Sequence, residues 1–203
     1  KGRLGRVWKS KSGDGIWMSL IIKPKIEPYK APFLTLVAGA SVVKALSNLD
    51  VEASIKWPND IIVHNKKICG ILTELSAEME RVNYVVIGIG INIKTIDFPD
   101  EIKEKATSLY KEGYKLSRVD IVRQFCIEFE KLYKGYILDG NKQDTLELCR
   151  KYSAIIGKQV YVIKNNKREL VKCIDINENG NLIVKEKNGE IQEIMSGEVS
   201  IRG

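Results

Sequence analysis

The apolar pattern of this 203-residue chain predicts an α+β fold, a mixed β-sheet flanked by helices and followed by a small C-terminal β-barrel. Three observations predict it. Stretches rich in β-branched residues alternate with helical repeats up to about Ile156. A nearly unbroken apolar run, Tyr84 to Ile93, reads as a central strand buried on both faces. From Gly157 the pattern changes to short alternating strands separated by Asn-Asn and Asn-Gly turns, and Asn-Gly between alternating runs is a strong hairpin signal.

Taken in order, Trp17 to Lys23 reads as a strand ending at Pro24, and Pro24, Pro28 and Pro32 punctuate a loop. Phe33 to Leu49 carries apolar residues at helical spacing (Leu36, Val37, Ala40, Val43, Leu46) and reads as a helix. A strand follows and ends near Trp57-Pro58. Ile61 to Val63 and Lys67 to Leu75 read as a hairpin turning at Asn65-Lys66. Asp97 to Glu112 is charged and irregular, with a short helix near Ala106. Ser117-x-x-Asp120 is a capping box that opens a second long helix, with apolar positions Ile121, Val122, Phe125, Ile127, Phe129 and Leu132. A third helix covers about Thr145 to Ile155. The expected barrel strands are Val160–Ile163, Leu170–Ile176, Leu182–Lys187 and Ile191–Met195, four or five strands in all. The domain boundary is expected near Ile156, giving domains 1–156 and 157–203.

Composition narrows the function classes. Hydrophobic residues make up 44% of the chain, ordinary for a globular protein. No apolar run approaches the ~18–20 residues needed to span a bilayer, and the basic, glycine-rich start at Lys1 to Trp8 lacks the apolar core of a signal peptide. A cytoplasmic protein without membrane attachment is expected. Four scattered cysteines, Cys69, Cys126, Cys149 and Cys173, and the single His64 do not offer the close soft ligands of a zinc site, so no metal site is expected and the cysteines read as buried reduced thiols. The net charge is +7, and residues 1–30 hold eight Lys/Arg against Asp14 and Glu27, a local +6. A basic segment of that kind calls for a local anion.

Four segments carry chemistry. Lys1-Gly-Arg-Leu-Gly-Arg-Val-Trp8, with Gly13 and Gly15 beyond it, sets fixed cations among glycines. That describes a lid over a polyanion, with Gly2 to Gly15 mobile until the anion arrives. Lys56-Trp-Pro-Asn-Asp60 places a lysine at a strand end in an apolar setting stiffened by Pro58, with turn or capping roles for Asn59 and Asp60. Lys67-Ile-Cys-Gly-Ile-Leu-Thr-Glu74 and Gly88-Ile-Gly-Ile-Asn92 put glycines inside strands, where they mark close approach by a ligand or another backbone. Gly70, Gly88 and Gly90 can form a flat floor for a thin ligand; bulges or tight packing are the structural alternative.

In this order, and with Gly197-Glu-Val-Ser-Ile-Arg202 near the end, the segments resemble the biotin–protein ligase family (biotin–[acetyl-CoA-carboxylase] ligase, holocarboxylase synthetase). The family's patterns are Gly-Arg-Gly-Arg-x-Gly-Arg-x-Trp, Lys-Trp-Pro-Asn-Asp, Lys-x-x-Gly-Ile-Leu-x-Glu and Gly-x-Gly-Ile-Asn. Lys1 stands where the family has arginine, and the charge survives. The chain starts inside the first motif, so we expect an N-terminally truncated stretch of a longer protein, with the family's upstream biotin-holding residues and any DNA-binding helix-turn-helix lying before it.

The resemblance implies a core like that of class II aminoacyl-tRNA synthetases, with ATP and biotin as substrates and Mg²⁺ neutralising the phosphates. The partner it implies is the biotin carboxyl carrier domain of acetyl-CoA carboxylase or a related carboxylase, and it allows a homodimer. Biotin's carboxylate would attack the α-phosphate of ATP, and the carrier lysine would then attack the biotinyl-5′-AMP so formed. Lys56 and Arg3 would be catalytic. Lys1, Arg3, Lys56, Gly70, Leu72, Gly88 and Gly90 would line the biotin site. Arg3, Arg6, Trp8, Lys56, Asn92, Arg118, Glu198 and Arg202 would meet the nucleotide. A lipoate–protein ligase shares this chemistry, but Lys-Trp-Pro-Asn-Asp and Gly-Glu-Val-Ser-Ile-Arg favour biotin. A nucleic-acid-binding module is suggested by the pI of about 9.1. Against it, Val160 to Met195 holds a single aromatic, Tyr161, and several acids (Asp175, Glu178, Glu186, Glu190, Glu193).

Overall fold

The structure, a computed structural model, describes residues 12–164, 167–195 and 197–200, with only the backbone of Lys164, Lys167 and Glu198. The first sheet runs β1-β5-β4-β3-β2, with β1 Gly15–Ile22, β2 Ser54–Lys56, β3 Asp60–Val63, β4 Lys66–Ala77 and β5 Val82–Asn92. All four of its strand pairs are antiparallel, so the mixed sheet expected from sequence is corrected. The reason is local: β3–β4 and β4–β5 are joined by tight turns, which reverse the chain. The first turn is centred on His64 (φ 47°) and Asn65 (φ 62°), one residue earlier than Asn65-Lys66. Parallel pairing occurs among the described residues only as isolated bridges, Ile55 with Ser153 and Lys67 with Ala106.

β5 is also not buried on both faces. Val85, Ile87, Ile89 and Ile91 are buried, while Val86, Gly88 and Gly90 between them are half-buried. The run looks continuous in sequence because glycine interrupts the alternation without adding polarity. One face of the sheet is therefore a core and the other is open.

The core face is covered by α1, Phe33–Ser47, of which twelve residues are buried. The helix is apolar nearly all round because it is wedged between the sheet and two further helices. With the turn before it, the stretch Pro28–Ser47 is long and apolar enough to cross a membrane by length and composition, contrary to the sequence expectation, but 72% of its apolar window is buried inside the fold. α2, Arg118–Leu138, packs on α1 through Phe125, Phe129, Leu132 and Tyr136. The rings of Phe33 and Tyr136 lie 4.7 Å apart, and the Tyr136 hydroxyl donates to the Lys30 carbonyl at 2.9 Å. Ser117 caps α2, its Oγ accepting from the Val119 amide at 3.2 Å; among the described residues the reciprocal bond of a box is not made. α3, Gln143–Lys151, packs against α1 and the second sheet. Around Ala106 there are turns instead of a short helix, because the backbone of that segment bonds to Lys67.

The second sheet runs β10-β6-β7-β8-β9, with β6 Gln159–Lys164, β7 Lys167–Ile176, β8 Leu182–Lys185, β9 Ile191–Ile194 and β10 Glu198–Ser200. No described pairing joins β9 to β10, so this is an open antiparallel sheet instead of a closed barrel. Those two edge strands, of four and three residues, are too short to wrap round. Of the cysteines, Cys69, Cys149 and Cys173 are buried free thiols, while Cys126 is exposed on α2, a correction to the expected four buried thiols. Burial raises all three buried thiols, Cys149 and Cys173 to about 12.

Three contacts tie the first sheet to the α3–β6 connector and to the second sheet. The Ile55 amide donates to the Tyr152 carbonyl at 2.7 Å, and the Ala154 amide returns a bond to the Ile55 carbonyl at 2.8 Å. Trp57, 3% exposed, donates its Nε1–H to the Gly180 carbonyl at 2.9 Å. Gly180 sits at φ 83° in the β7–β8 turn, pressed on Leu36 and Phe33 of α1, where a Cβ would collide with Leu36. Removing the donor strands a buried carbonyl, which costs about 1–3 kcal/mol. Trp57→Phe is therefore expected to lower stability by about that amount, read as a lower urea midpoint at unchanged slope.

Candidate active site

The register of the first sheet builds the site. Lys56 pairs with Asp60, Asp60 with Gly70, Gly70 with Gly90, and Gly90 with Trp17. Directly opposed residues in an antiparallel sheet share a face. These five residues therefore form one row straight across all five strands, on the open face. The next row along is Leu72, Gly88 and Ser19. Farther along β5, Asn92 pairs with Gly15 and stands on the same face, two residues beyond Gly90. Strands lie about 4.8 Å apart, so Lys56 starts about 10 Å from the Gly70 backbone, two strands away along the row.

The two middle positions of the row and the Gly88 position beside it lack side chains, which leaves a shallow trough flanked by Lys56 and Asp60 on one side and Trp17 on the other. Among the described residues, a Cβ at Gly88 would meet only Leu72, at 3.6 Å from its carbonyl oxygen. The fold can thus accept a side chain there, and the absence of one keeps the floor open. That favours the ligand-floor reading of Gly88 over tight packing.

Lys56 itself is held by its neighbours. Ile55 before it and Trp57 after it are 2% and 3% exposed, and both bond to the C-terminal half of the chain. The lysine at β2's end is thus the half-buried residue between two anchored ones. Beside it, Lys67 Nζ pairs with Asp60 Oδ1 at 2.5 Å. Asn59 extends the β3–β4 pairing beyond its last strand residue: its carbonyl accepts from the Ile71 amide at 2.9 Å and its Nδ2 donates to the Ile71 carbonyl at 3.0 Å. Past Ile71, β4 has no described partner on that edge, and a cleft of about 240 Å³ opens there, lined by Phe33, Thr35, Trp57, Asn59, Thr73 and Asn179. None of the three floor glycines lines it.

At the other end, Asn92 is 6% exposed and donates Nδ2–H to the Thr107 carbonyl at 3.0 Å. The Thr107 hydroxyl donates to Glu112 Oε1 at 2.6 Å, and Glu112 Oε2 meets His64 Nδ1 at 2.5 Å. Burial alone would raise the Glu112 carboxyl, but the bonds from His64 and Thr107, with the charges of His64 and Lys66, outweigh it and hold it below 4.5. Sequence reading missed this network, and also Trp17's place at the end of the row. Their partners lie far apart in sequence, and nothing in the charged loop 97–112 except the uncharged Ala-Thr-Ser-Leu stretch hinted at burial.

Of the other expected site residues, Leu72, Gly70, Gly88, Gly90, Lys56 and Asn92 share the open face. Arg118 does not join them: it is exposed in the first turn of α2, in the helical layer, with no side-chain hydrogen bond or ion pair among the described residues. Glu198 is described as backbone only, opposite Ile163 on β10. Lys1, Arg3, Arg6, Trp8 and Arg202 lie outside the described residues. So does most of the expected lid; Gly15 is not part of it, since it is buried and opens β1.

Two segments of the chain match known families. Residues 1–92 match the Biotin/lipoate A/B protein ligase family, which leaves two cofactors open, and residues 155–202 match the Biotin protein ligase C terminal domain. The second match decides between them. The chain belongs to the biotin–protein ligase family. The bifunctional ligase/repressor BirA of Bacillus subtilis is 40% identical over 205 residues, covering 99% of this chain and 62% of that protein. The human biotin–protein ligase is 30% identical over 94% of this chain and 27% of its own length. Among solved structures, the biotin protein ligase of Aquifex aeolicus in complex with biotin and ATP superposes with a TM-score of 0.83 at 29% identity, covering 98% of this chain and 83% of that one. The chain spans about three-fifths of the length of the Bacillus subtilis protein (62%).

The lowered Glu112 carboxyl has a stability consequence. A depressed folded value means the carboxylate supports the fold above its ordinary value and ceases to as pH falls through the folded one. The stability advantage of the parent over Glu112→Gln is therefore expected at neutral pH and should close as the pH drops below 4.5, measured by thermal unfolding across that range.

Proposed function

We propose that this chain activates biotin with ATP and transfers it to a specific lysine of a biotin carboxyl carrier domain. The observation that carries the reading is the glycine floor with Lys56 at its flank and Asn92 at its end. A thin bicyclic ring fits a floor without side chains, its carboxylate tail needs a cation, and a nucleotide needs polar groups farther along. The Aquifex structure's bound biotin and ATP support the same pair of ligands here. Relatives named biotin–[acetyl-CoA-carboxylase] ligase, such as the Mycobacterium tuberculosis protein (32% identical over 118 residues), support a carboxylase carrier as acceptor.

The chemistry runs in two displacements. A carboxylate oxygen of biotin attacks the α-phosphorus of ATP, the bond from that phosphorus to the bridging oxygen breaks, and diphosphate leaves with its electron pair. The neutral amine of the carrier lysine then attacks the acyl carbon of biotinyl-5′-AMP. AMP leaves, and the new amide sheds one proton. The first step brings two anions together, so its main requirement is preorganised positive charge at the junction. Lys56 supplies it from a backbone held on both sides, with Arg3 as the second catalytic cation and Arg6 on the phosphates. Gly70, Leu72, Gly88 and Gly90 form the biotin floor, and Lys1 is assigned to biotin with them. Trp8, Asn92, Glu198 and Arg202 serve the nucleotide, and the exposed Arg118 is the weakest member of that set. With ATP we include Mg²⁺, which would neutralise the phosphates; such an ion is held mainly by phosphate oxygens and water with one or two carboxylates, and among the described residues no three His, Cys, Asp or Glu side chains converge into a separate site. We divide the chain near Ile156 into a catalytic domain and a smaller C-terminal one, and the need for ATP supports a cytoplasmic setting.

Two substitutions test the reading. Lys56→Ala is expected to leave the fold intact and cut biotin-dependent pyrophosphate release by at least about a hundredfold, as loss of a charge used in the transition state does. Unchanged release would remove Lys56 from the mechanism. Gly88→Ala should keep or slightly raise stability, by up to about 1 kcal/mol for alanine over glycine in a strand. Its methyl group should nevertheless weaken biotin binding by about tenfold or more, the order of one overpacking contact. Calorimetry on the folded variant checks it, with lipoate as the competing ligand.

A further inference from the structure

We infer that Glu112, acting through Thr107, is a positioning residue for Asn92 and so sets which nucleotide base the site accepts. This rests on the ligase reading and extends it to two residues that no family motif contains.

The argument starts from how many ways Thr107 is gripped. The residue is 1% exposed. Its amide donates to the Lys67 carbonyl at 2.9 Å, its hydroxyl donates to Glu112 at 2.6 Å, and its carbonyl accepts from Asn92 Nδ2 at 3.0 Å. Two residues on, the Leu109 amide donates to the Asn92 carbonyl at 3.1 Å. Segment 107–109 therefore clamps Asn92 at both its backbone and its head group. A side-chain amide that has given one proton to a fixed carbonyl has lost its freedom to flip. It keeps one N–H and one carbonyl oxygen for a ligand. Adenine presents a matching donor and acceptor in its amino group and adjacent ring nitrogen, whereas hypoxanthine replaces that amino group with a carbonyl.

Glu112 fixes the clamp from behind. Its two carboxylate oxygens are divided, one taking the Thr107 hydroxyl and the other meeting His64 in the β3–β4 turn. Charged acceptors make the stronger hydrogen bonds. The network thus runs from the hairpin tip to the end of β5 and reaches the proposed nucleotide end of the floor; its link toward the Lys56–Asp60 row is the backbone bond from Thr107 to Lys67, which side-chain variants at Thr107 and Glu112 leave in place.

The test is nucleotide preference in the full protein. Biotin-dependent pyrophosphate release is measured with ATP and with inosine triphosphate for the parent, Glu112→Leu, Thr107→Val and Glu112→Gln. Glu112→Leu and Thr107→Val are expected to lower the preference for ATP by about tenfold, the order of one misplaced hydrogen bond, with the KM for biotin moving less than about twofold. Glu112→Gln, which keeps an acceptor for Thr107, should restore the preference. A preference unchanged in both loss variants overturns the positioning role, and so does an equal fall in biotin and ATP affinity, which would make Glu112 a residue of general stability. A parent that shows no biotin-dependent release with either nucleotide overturns the ligase reading, and this inference with it.

Discussion

The site depends above all on the pairing of Gly70 with Gly90. Antiparallel strands fix which residues stand opposite one another, and a slip of one position would turn every side chain of the strand to the other face. In the observed register two residues without side chains meet at the centre of the sheet, with Gly88 one row along. The isoleucines between them point into the helical layer. One register therefore produces both the core and the open floor, so a slip of register could not move the floor without also disturbing the packing of α1.

Much of this was legible in the sequence because it follows from local patterns. Helices α1 and α2 showed at their spacing, and the Gly-Ile-Gly-Ile-Asn run announced both a strand and its missing side chains. The errors have physical causes. Tyr84 to Ile93 was read as buried on both faces because glycine counts as neither polar nor apolar. The mixed sheet was expected because a long apolar strand is typical of parallel sheets, while the short β3–β4 and β4–β5 turns point the other way. The closed barrel was an extrapolation from strand number, which says nothing about whether edge strands are long enough to meet.

Contacts between distant residues left no trace that a reading of the sequence could use. Asn59, assigned to a turn, lengthens a strand pairing through its own side chain. Asp60, also assigned to a turn, pairs with Lys67 next to the proposed catalytic lysine. Thr107 and Glu112 lie in a loop whose composition suggests solvent, yet Thr107 is buried at the end of β5. In each case the sequence gives the residue type, and the sheet supplies the neighbour that gives it meaning.

The bond from Trp57 to the Gly180 carbonyl bears on how such a chain can be recombined. The two sheets look like separable modules, since each has its own strands and its own sequence match. Yet the turn carrying Gly180 is fitted against Phe33 and Leu36, and Ile55 is stitched to the connector at Tyr152 and Ala154. A chimera that joins this catalytic sheet to a relative's C-terminal sheet at the visible boundary would bring a foreign turn to a surface shaped for the native one. The heritable unit is therefore larger than either sheet, and a graft would have to carry the matching face of α1 along with the turn.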